Sequence, residues 1–278
     1  MNNINLKGCG TALVTPFRNG EVDYEAFAAL VDHQVEGGVD FLVPLGTTGE
    51  TPCLSDEEKI KVLTLAKERS CGKPVVAGVG TNSLEHTLAN IRLLEPHGVD
   101  VFLVVVPYYN KPPQEGMYRY FKAVAEATSK PVLLYNVPGR TGANLEAETT
   151  LRLAQIDNII GIKEASSNRG QILKIIEGRP EGFLVLSGND DETFPLMKAG
   201  ADGVISVASN IAPALVAELA HAMMEGKIEK AAGLHGKLSP LFRNCFVESN
   251  PIPAKAGLAA MGMMQNELRL PLVPSQQK

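Results

Sequence analysis

The chain alternates between runs of apolar residues and amphipathic segments along its 278 residues. The apolar runs show no polar alternation, which is typical of parallel strands that are covered on both faces. Segments such as YEAFAALVDHQVEGG after Asp23 and LEHTLANIRLLEPHG after Ser83 have helical spacing and lie between the runs. The pattern predicts about eight strands, which are expected to begin near Cys9, Phe41, Val75, Val101, Val132, Ile159, Phe183 and Val204.

Similar sequence segments lead into several of these strands. GGVDFLVPL, HGVDVFLVVVP and AGADGVISV each combine the end of a helix, a glycine and an apolar strand. Alternation of this kind predicts a (β/α)8 TIM barrel. We expect the barrel to occupy residues 1–225 and a C-terminal helical extension to occupy residues 226–278. A doubly wound open sheet is the structural alternative.

Composition and charge exclude several classes of protein. The formal charge is -5, the pI is about 5.6, and the basic residues are scattered, so no basic surface for nucleic acid is expected. The longest apolar run, VFLVVVP, is too short to span a bilayer, and the first residues lack the apolar core of a signal peptide. A cytoplasmic protein is therefore expected, with neither nucleic acid nor a membrane as partner. The four cysteines are far apart, which argues against disulfides and a zinc site.

Polar side chains follow most of the predicted strands, at the end where barrels of this kind hold their active sites. They include a lysine, an arginine and several hydroxyl groups. The residues are Thr47 and Thr48 after the second strand, Asn82 after the third, Tyr108 and Tyr109 after the fourth, Tyr135 and Arg140 at the fifth, and Lys163 and Glu164 at the sixth.

Histidine is missing from these strand ends, because all five histidines fall on predicted helices or at their ends. Metal-dependent barrel hydrolases need imidazoles there, so a bound metal is not expected. The SGNDDE segment after the seventh strand begins with acids that would repel a phosphate. GVGTNS lacks the spacing of a nicotinamide fingerprint. Phosphorylated substrates and dinucleotide cofactors are therefore disfavoured.

Lys163 ends the apolar run IIGIKE, where packing alone does not call for a lysine. An ammonium group held in an apolar barrel mouth loses its proton more easily, which provides a neutral amine nucleophile. Such an amine can attack a ketone, and the resulting iminium can lose a neighbouring proton to give an enamine that attacks an aldehyde. This chemistry requires no cofactor. In the alternative interpretation, Lys163 pairs with Glu164 and merely closes the barrel.

Tyr135 ends the preceding strand, and neighbouring strands lie about 5 Å apart, so its phenol and the Lys163 amine can meet. Thr47 could bond to that phenol, and a tyrosine of PYYN could extend the proton relay. The planar guanidinium of Arg140 can donate hydrogen bonds to both oxygens of a carboxylate. Each residue also has a purely structural interpretation. Tyr135 could be a core aromatic, Thr47 a turn residue and Arg140 a solvated surface residue.

As an ordered set, the motifs GTTGE, PYYNKP, YNVPGRTG and GIKEA resemble the dihydrodipicolinate synthase family of pyruvate-dependent lysine aldolases. The resemblance extends to ISVASN and NPIPAK and so covers nearly the whole chain. It implies a cofactor-free enzyme that condenses pyruvate with L-aspartate-4-semialdehyde to give 4-hydroxy-tetrahydrodipicolinate. This product would be the first intermediate committed to the biosynthesis of diaminopimelate and lysine. It also implies a homotetramer built as a dimer of dimers.

The resemblance assigns four catalytic residues. Lys163 would form the Schiff base with pyruvate, and Tyr135 would assist imine formation and donate protons. Thr47 would link Tyr135 to Tyr109, which a neighbouring subunit would supply.

Three further residues would bind substrate. Thr48 would hold the pyruvate carboxylate, the backbone carbonyl of Ile205 would face the site, and Arg140 would bind the carboxylate of aspartate semialdehyde.

Related enzymes share the lysine and the tyrosine, so other activities stay open. N-acetylneuraminate lyase and the 2-keto-3-deoxy sugar acid aldolases are similar in fold and chemistry. The second hydroxyl of GTTGE and the cation of Arg140 favour the synthase over both. A hypothesis from another class is a non-catalytic sensor of pyruvate or lysine, which would bind without turnover.

Feedback by lysine is a further expectation of the resemblance. The inhibitor would bind in a cleft at the dimer interface, at Thr51, Leu54, Asn82 and Tyr108. Lysine-sensitive bacterial members often have a histidine and a glutamate where this chain has Lys59 and His86. A cation in place of an acid would repel the inhibitor's ammonium, so weak or absent inhibition is expected, and micromolar inhibition would contradict it.

Overall fold

Eight parallel strands form one closed ring within the part of the chain that the structure describes. The computed structural model covers residues 4–275. In chain order the strands are β1 (Gly8–Ala12), β2 (Phe17–Arg18), β3 (Glu21–Val22), β4 (Phe41–Val43), β5 (Val76–Gly78), β6 (Val101–Val105), β7 (Val132–Asn136), β8 (Ile159–Glu164), β9 (Leu184–Ser187) and β10 (Gly203–Ser206). β2 and β3 form a small antiparallel hairpin.

The other eight strands pair in the order β4-β1-β10-β9-β8-β7-β6-β5. A parallel bridge between Leu42 and Val75 joins the two ends of that order. The predicted (β/α)8 barrel is thus confirmed. The open-sheet alternative is wrong, because both edge strands find a partner. Each predicted strand start lies within one residue of the observed one.

Helices surround the ring, most of them between successive strands and the last ones after β10. They are α1 (Tyr24–Glu36), α2 (Asp56–Arg69), α3 (Leu84–Leu94), α4 (Gln114–Glu126), α5 (Pro138–Thr141), α6 (Ala147–Leu153), α7 (Arg169–Gly178), α8 (Thr193–Lys198), α9 (Pro213–Met224), α10 (Ile228–Asn244) and α11 (Ile252–Ala260). Ser55 starts α2 with a capping box: its Oγ accepts from the Glu58 N–H at 3.2 Å, and the Glu58 carboxylate accepts from the Ser55 N–H at 2.9 Å.

The apolar core lies in two layers. Phe41, Leu133, Leu186 and Ile205 belong to the layer that fills the inside of the ring. A larger layer lies between the strands and the surrounding helices. Successive residues of a strand point to alternate layers, so the register of a strand decides which of its side chains reach the inside.

β8 contains one extra residue near its start. Val132 pairs with Ile159, yet Leu133 pairs with Gly161, so Ile160 is left over as a β-bulge. Gly161 permits the close approach that follows, because a Cβ there would lie 2.5 Å from the Leu184 carbonyl oxygen. The bulge reverses the faces of all residues that come after it in β8.

This reversal decides which way Lys163 points. Lys163 stands opposite Tyr135 in the register, and Tyr135 belongs to the inner layer. Glu164 stands opposite Asn136 and faces the helices. Without the bulge, strict alternation from the first pair would turn Lys163 outwards and Glu164 inwards.

The helical extension packs closely on the barrel. α10 lies against α9, and the chain beyond α11 returns to the carboxyl ends of the strands. There Arg269 donates to Glu58 and to the Gly20 carbonyl. The division between residues 225 and 226 stays a prediction.

The histidines lie on helices or helical turns, as predicted: His33 in α1, His86 in α3, His97 in the 3-10 turn Glu95–His97, His221 in α9 and His235 in α10. Between residues 4 and 275, no helix combines the length and the apolar character that crossing a bilayer requires.

Replacing Gly161 with alanine should disturb the bulge. The new Cβ would press on a backbone oxygen of β9, which cannot withdraw without breaking the register. We expect the free energy of unfolding to fall by about 3 kcal/mol, the upper end of typical overpacking costs. Urea unfolding followed by circular dichroism measures it.

Gly236→Ala in α10 is the matched control. A Cβ there meets no atom within 4 Å, and alanine favours a helix by up to about 1 kcal/mol over glycine. This variant should therefore be as stable as the parent or more stable. Equal stability of Gly161→Ala and the parent would contradict the role of the bulge.

Candidate active site

A cavity of about 500 Å³ opens at the carboxyl ends of the strands. Ala12, Leu103 and Tyr135 contribute to its floor from inside the ring, and Asn250 and Leu272 of the extension contribute to its wall. The carboxyl end of a barrel is where loops from several strands meet, and cavities of this size hold small organic molecules. The cavity is therefore the candidate active site.

Lys163 reaches this cavity from β8. Its side chain is only 7% exposed. The Nζ atom lies 4.3 Å from the centre of the Tyr135 ring, and among residues 4–275 it has no hydrogen-bonded or ion-paired partner. The two residues therefore meet as predicted from adjacent strand ends.

Burial lowers the pKa of Lys163 to about 8, because the ammonium loses its hydrating water. The charge of Asp190 opposes this shift, and the charge of Arg140 adds to it. Asp190 is itself buried and accepts hydrogen bonds from Ser206 and from two backbone N–H groups. A lysine with this pKa is partly neutral near pH 7 and can act as a nucleophile.

Glu164 does not neutralise Lys163. Its carboxylate accepts hydrogen bonds from Asn136 Nδ2 at 3.2 Å, from Gln171 Nε2 at 3.2 Å and from the Ser166 N–H at 2.8 Å. All of these lie on the helix side of the sheet, where burial raises the pKa of Glu164. The interpretation in which Lys163 merely pairs with Glu164 is therefore wrong.

Tyr135 keeps its proton at neutral pH. Burial raises the pKa of its phenol, while the charge of Arg140 and the hydroxyl of Thr47 counteract part of that rise. The Thr47 hydroxyl is near enough to act on the phenol, although the pair does not reach full hydrogen-bond geometry. Tyr135 is therefore suited to donate a proton beside the amine.

Thr47 and Thr48 line the cavity from the 3-10 turn Thr47–Gly49. Thr47 is exposed at the wall, whereas Thr48 is 3% exposed. The Oγ1 atom of Thr48 accepts a hydrogen bond from Asn250 Nδ2 at 2.9 Å. The extension therefore orients a hydroxyl of the site.

Arg140 lines the cavity from α5 and is exposed to solvent. Its guanidinium stands at the mouth, where a carboxylate can reach it.

Tyr109 is not among the described residues that line this cavity. It is 85% exposed and has a positive φ of 75°. Its N–H donates to the Thr141 carbonyl at 3.0 Å, which ties its loop to α5.

Comparisons with known proteins agree with this geometry. The sequence profile of the Dihydrodipicolinate synthetase family matches residues 5–278. The chain belongs to this family. The resemblance of the motifs is thereby confirmed over nearly the full length. A protein of Thermotoga neapolitana named 4-hydroxy-tetrahydrodipicolinate synthase is 50% identical over 278 residues, which cover 98% of this chain and 95% of that protein.

Solved structures of the family have the same fold. The dihydrodipicolinate synthase of Thermotoga maritima superposes with a TM-score of 0.96 at 48% identity and covers 98% of this chain and 94% of its own. A structure described as the first monomeric dihydrodipicolinate synthase variant also has a TM-score of 0.96 at 48% identity, covering 98% of this chain and 92% of its own.

Other residues assigned by the family resemblance lie at different distances from the cavity. Thr51 and Tyr108 line it. Leu54 is buried, Asn82 accepts at its carbonyl from Asn110, and Ile205 is buried inside the ring; none of these three is among the described lining residues. Their roles stay predictions.

Sequence reasoning missed three polar residues around the cavity. Asp190 lies in SGND, Glu50 in GTTGE and Asn250 in NPIPAK, so each stood in a segment already singled out. For Asp190 and Glu50 the available signal was a position just after a strand end, and for Asn250 it was the motif alone. Within residues 4–275, no three His, Cys, Asp or Glu side chains are grouped as metal ligands.

The reactivity of Lys163 should follow its lowered pKa. Only the neutral amine reacts with acetic anhydride, so acetylation of Lys163 should rise with pH, reach half its maximum at about 8 and then level off. Mass spectrometry of the peptide that contains Lys163 measures it. A midpoint near the ordinary lysine value of 10.5 would contradict the effect of burial.

Arg140→Gln provides the internal control. Removing a neighbouring positive charge favours the ammonium form of Lys163, so the midpoint should move to higher pH.

Proposed function

We propose that this chain is a 4-hydroxy-tetrahydrodipicolinate synthase, which condenses pyruvate with L-aspartate-4-semialdehyde through a Schiff base on Lys163. The observation that carries the proposal is the Lys163 amine, whose pKa is lowered to about 8 beside the Tyr135 phenol. A relative that is 50% identical bears the name of this enzyme. The reaction would open the branch to diaminopimelate and lysine, a biosynthetic role expected in the cytoplasm.

Imine formation comes first. The neutral Lys163 amine attacks the ketone carbon of pyruvate, and Tyr135 supplies the proton with which the ketone oxygen leaves as water. Thr48 holds the pyruvate carboxylate. The burial of its hydroxyl in the site supports this role. The product of this step is an iminium that joins pyruvate to Lys163.

Carbon–carbon bond formation follows. The iminium withdraws electrons, so the pyruvate methyl group loses a proton and an enamine forms. The enamine carbon attacks the aldehyde carbon of the second substrate, whose oxygen takes up a proton. The amino group of that substrate then attacks the imine carbon, closes the ring and releases Lys163 as the free amine. The covalent bond to Lys163 replaces a cofactor in this sequence.

Arg140 selects the second substrate. Its guanidinium stands at the mouth of the cavity, and a planar fork of N–H donors fits a carboxylate in two places. Aspartate semialdehyde carries such a carboxylate next to its amino group.

Tyr109 completes the relay of Tyr135 and Thr47 in a second copy of the chain. Its 85% exposure and its absence from the described lining of its own cavity support a role across an interface. We therefore expect at least a homodimer and, by family resemblance, a tetramer built as a dimer of dimers. Because one relative is described as a monomeric variant, association has to be measured.

Turnover tests the proposal directly. The purified protein should consume pyruvate only when aspartate semialdehyde is present, and borohydride should trap pyruvate on Lys163. Lys163→Ala should abolish both pyruvate consumption and borohydride trapping, since no other amine replaces that of Lys163. Lys174→Ala, an exposed lysine on α7, is the matched control and should keep them.

N-acetylneuraminate is assayed in parallel, because sugar acid aldolases share the lysine and the tyrosine. Cleavage of that sugar acid without condensation of pyruvate and aspartate semialdehyde would indicate an N-acetylneuraminate lyase instead. Pyruvate binding without turnover would instead support a sensor.

Mixed dimers test the position of Tyr109. Tyr109→Phe removes the hydroxyl and should lower kcat by about 10²-fold, the lower range for a lost proton-transfer group. Combined with Lys163→Ala subunits, it should regain activity, because one site of each mixed dimer then has both Lys163 and the neighbour's Tyr109. No recovery on mixing, with dimers verified by native mass spectrometry, would place the tyrosine elsewhere.

Lysine feedback is expected to be weak. Lys59 lines the cavity beside Thr51 and Tyr108, and its ammonium pairs with Asp56 at 2.9 Å. The position of the Lys59 ammonium at the cavity supports the repulsion of a cationic inhibitor, whereas its ion pair with Asp56 offsets part of that charge.

A further inference from the structure

Two oppositely charged side chains are buried together at the wall of the cavity, which Glu50 lines. Glu50 is 3% exposed and Lys255 is 0% exposed. The Nζ atom of Lys255 donates to Glu50 Oε1 at 2.5 Å. Glu50 belongs to the GTTGE segment, and Lys255 ends the NPIPAK segment in α11. None of the catalytic steps described above uses this pair.

Both oxygens of Glu50 are bound by the extension. Oε1 accepts from Lys255, and Oε2 accepts from the Arg269 N–H at 3.0 Å. Glu50 itself has a left-handed backbone with φ of 52°, between the 3-10 turns Thr47–Gly49 and Thr51–Cys53. A non-glycine residue adopts that conformation only where its surroundings hold it.

The segment that Glu50 anchors carries the hydroxyl groups of the site. Thr48 stands two residues before Glu50, and Thr47 three residues before it. Asn250, from the same part of the extension as Lys255, donates to Thr48 at 2.9 Å. The extension therefore holds this segment at two points, the hydroxyl of Thr48 and the carboxylate of Glu50.

A buried ion pair is a poor source of stability, because removing two charges from water offsets most of their attraction. Burial indeed lowers the pKa of Lys255 to about 8, against the opposing charge of Glu50. Apolar side chains could fill the same space with equal or greater stability. Unlike them, the pair requires one defined geometry, because charge-assisted hydrogen bonds are directional.

We propose that Lys255 is a positioning residue for the reaction: through Glu50 it fixes the 46–53 segment, so that Thr48 meets the pyruvate on Lys163 and Thr47 meets Tyr135. The inference rests on the proposed function. Lys255 touches no reacting atom, and its effect passes through Glu50 and the backbone of the segment.

Lys255→Met tests the proposal, with kcat/KM measured separately for each substrate. We expect kcat/KM for pyruvate to fall by about 10²-fold, since a displacement of about 1 Å can cost that much. The value for the aldehyde should fall far less, because Arg140 belongs to α5 and not to the 46–53 segment. Trapping of pyruvate by borohydride should slow in parallel.

Glu50→Gln/Lys255→Met separates positioning from stability. The double variant leaves no buried charge unpaired, so its melting temperature should recover relative to Lys255→Met. Its defect towards pyruvate should persist, because the ionic tie to α11 is still missing. The double variant also keeps the test available if Lys255→Met does not fold.

Arg179→Met is the matched control. Arg179 forms a largely buried ion pair with Asp202 next to the start of β10, at the opposite end of the barrel. Its loss should lower the melting temperature but leave both kcat/KM values unchanged per folded protein.

Equal losses for the two substrates in Lys255→Met, or full recovery of pyruvate kinetics in the double variant, would overturn the proposal. Failure of the parent protein to condense the substrates would instead overturn the proposed function. Borohydride trapping with pyruvate alone would then still decide whether Lys255 positions the segment.

Discussion

Exclusion of water from one ammonium group sets the conditions for the rest of the site. Lys163 is 7% exposed, and burial lowers its pKa to about 8. Keeping water away from this amine requires protein groups on every side of it. The Tyr135 ring covers one side at 4.3 Å, apolar residues of the ring lie below, and loops close the space above. If any wall withdrew, water would stabilise the ammonium again and the nucleophile would be lost.

The barrel strands supply only part of that enclosure. Their inner faces bring together the amine and the phenol, whereas the hydroxyl groups come from a segment with little regular structure. That segment is held by the extension, through Asn250 on Thr48 and through Lys255 on Glu50. The chain on either side of α11 thus forms a wall of the cavity. The division of the chain into a catalytic barrel and an appendage therefore describes its topology better than its chemistry.

Much of the fold is visible in the amino-acid sequence, because strands and helices are local patterns. The same reasoning predicts that Lys163 and Tyr135 meet, since parallel strand ends lie side by side. The bulge at Ile160 is not visible, and plain alternation would place the lysine on the wrong face. The pairing of Glu50 with Lys255 is hidden for another reason: both motifs stand out, but one sequence does not reveal that residues 205 positions apart touch.

The same separation has a consequence for synthesis of the chain. A ribosome adds about 5–20 residues per second, so Glu50 precedes its partner by roughly 10–40 s. Until then the tie between Glu50 and α11 does not exist, and the wall that residues 249–272 add to the cavity is missing. The cavity around Lys163 is therefore completed only late in the synthesis of the chain.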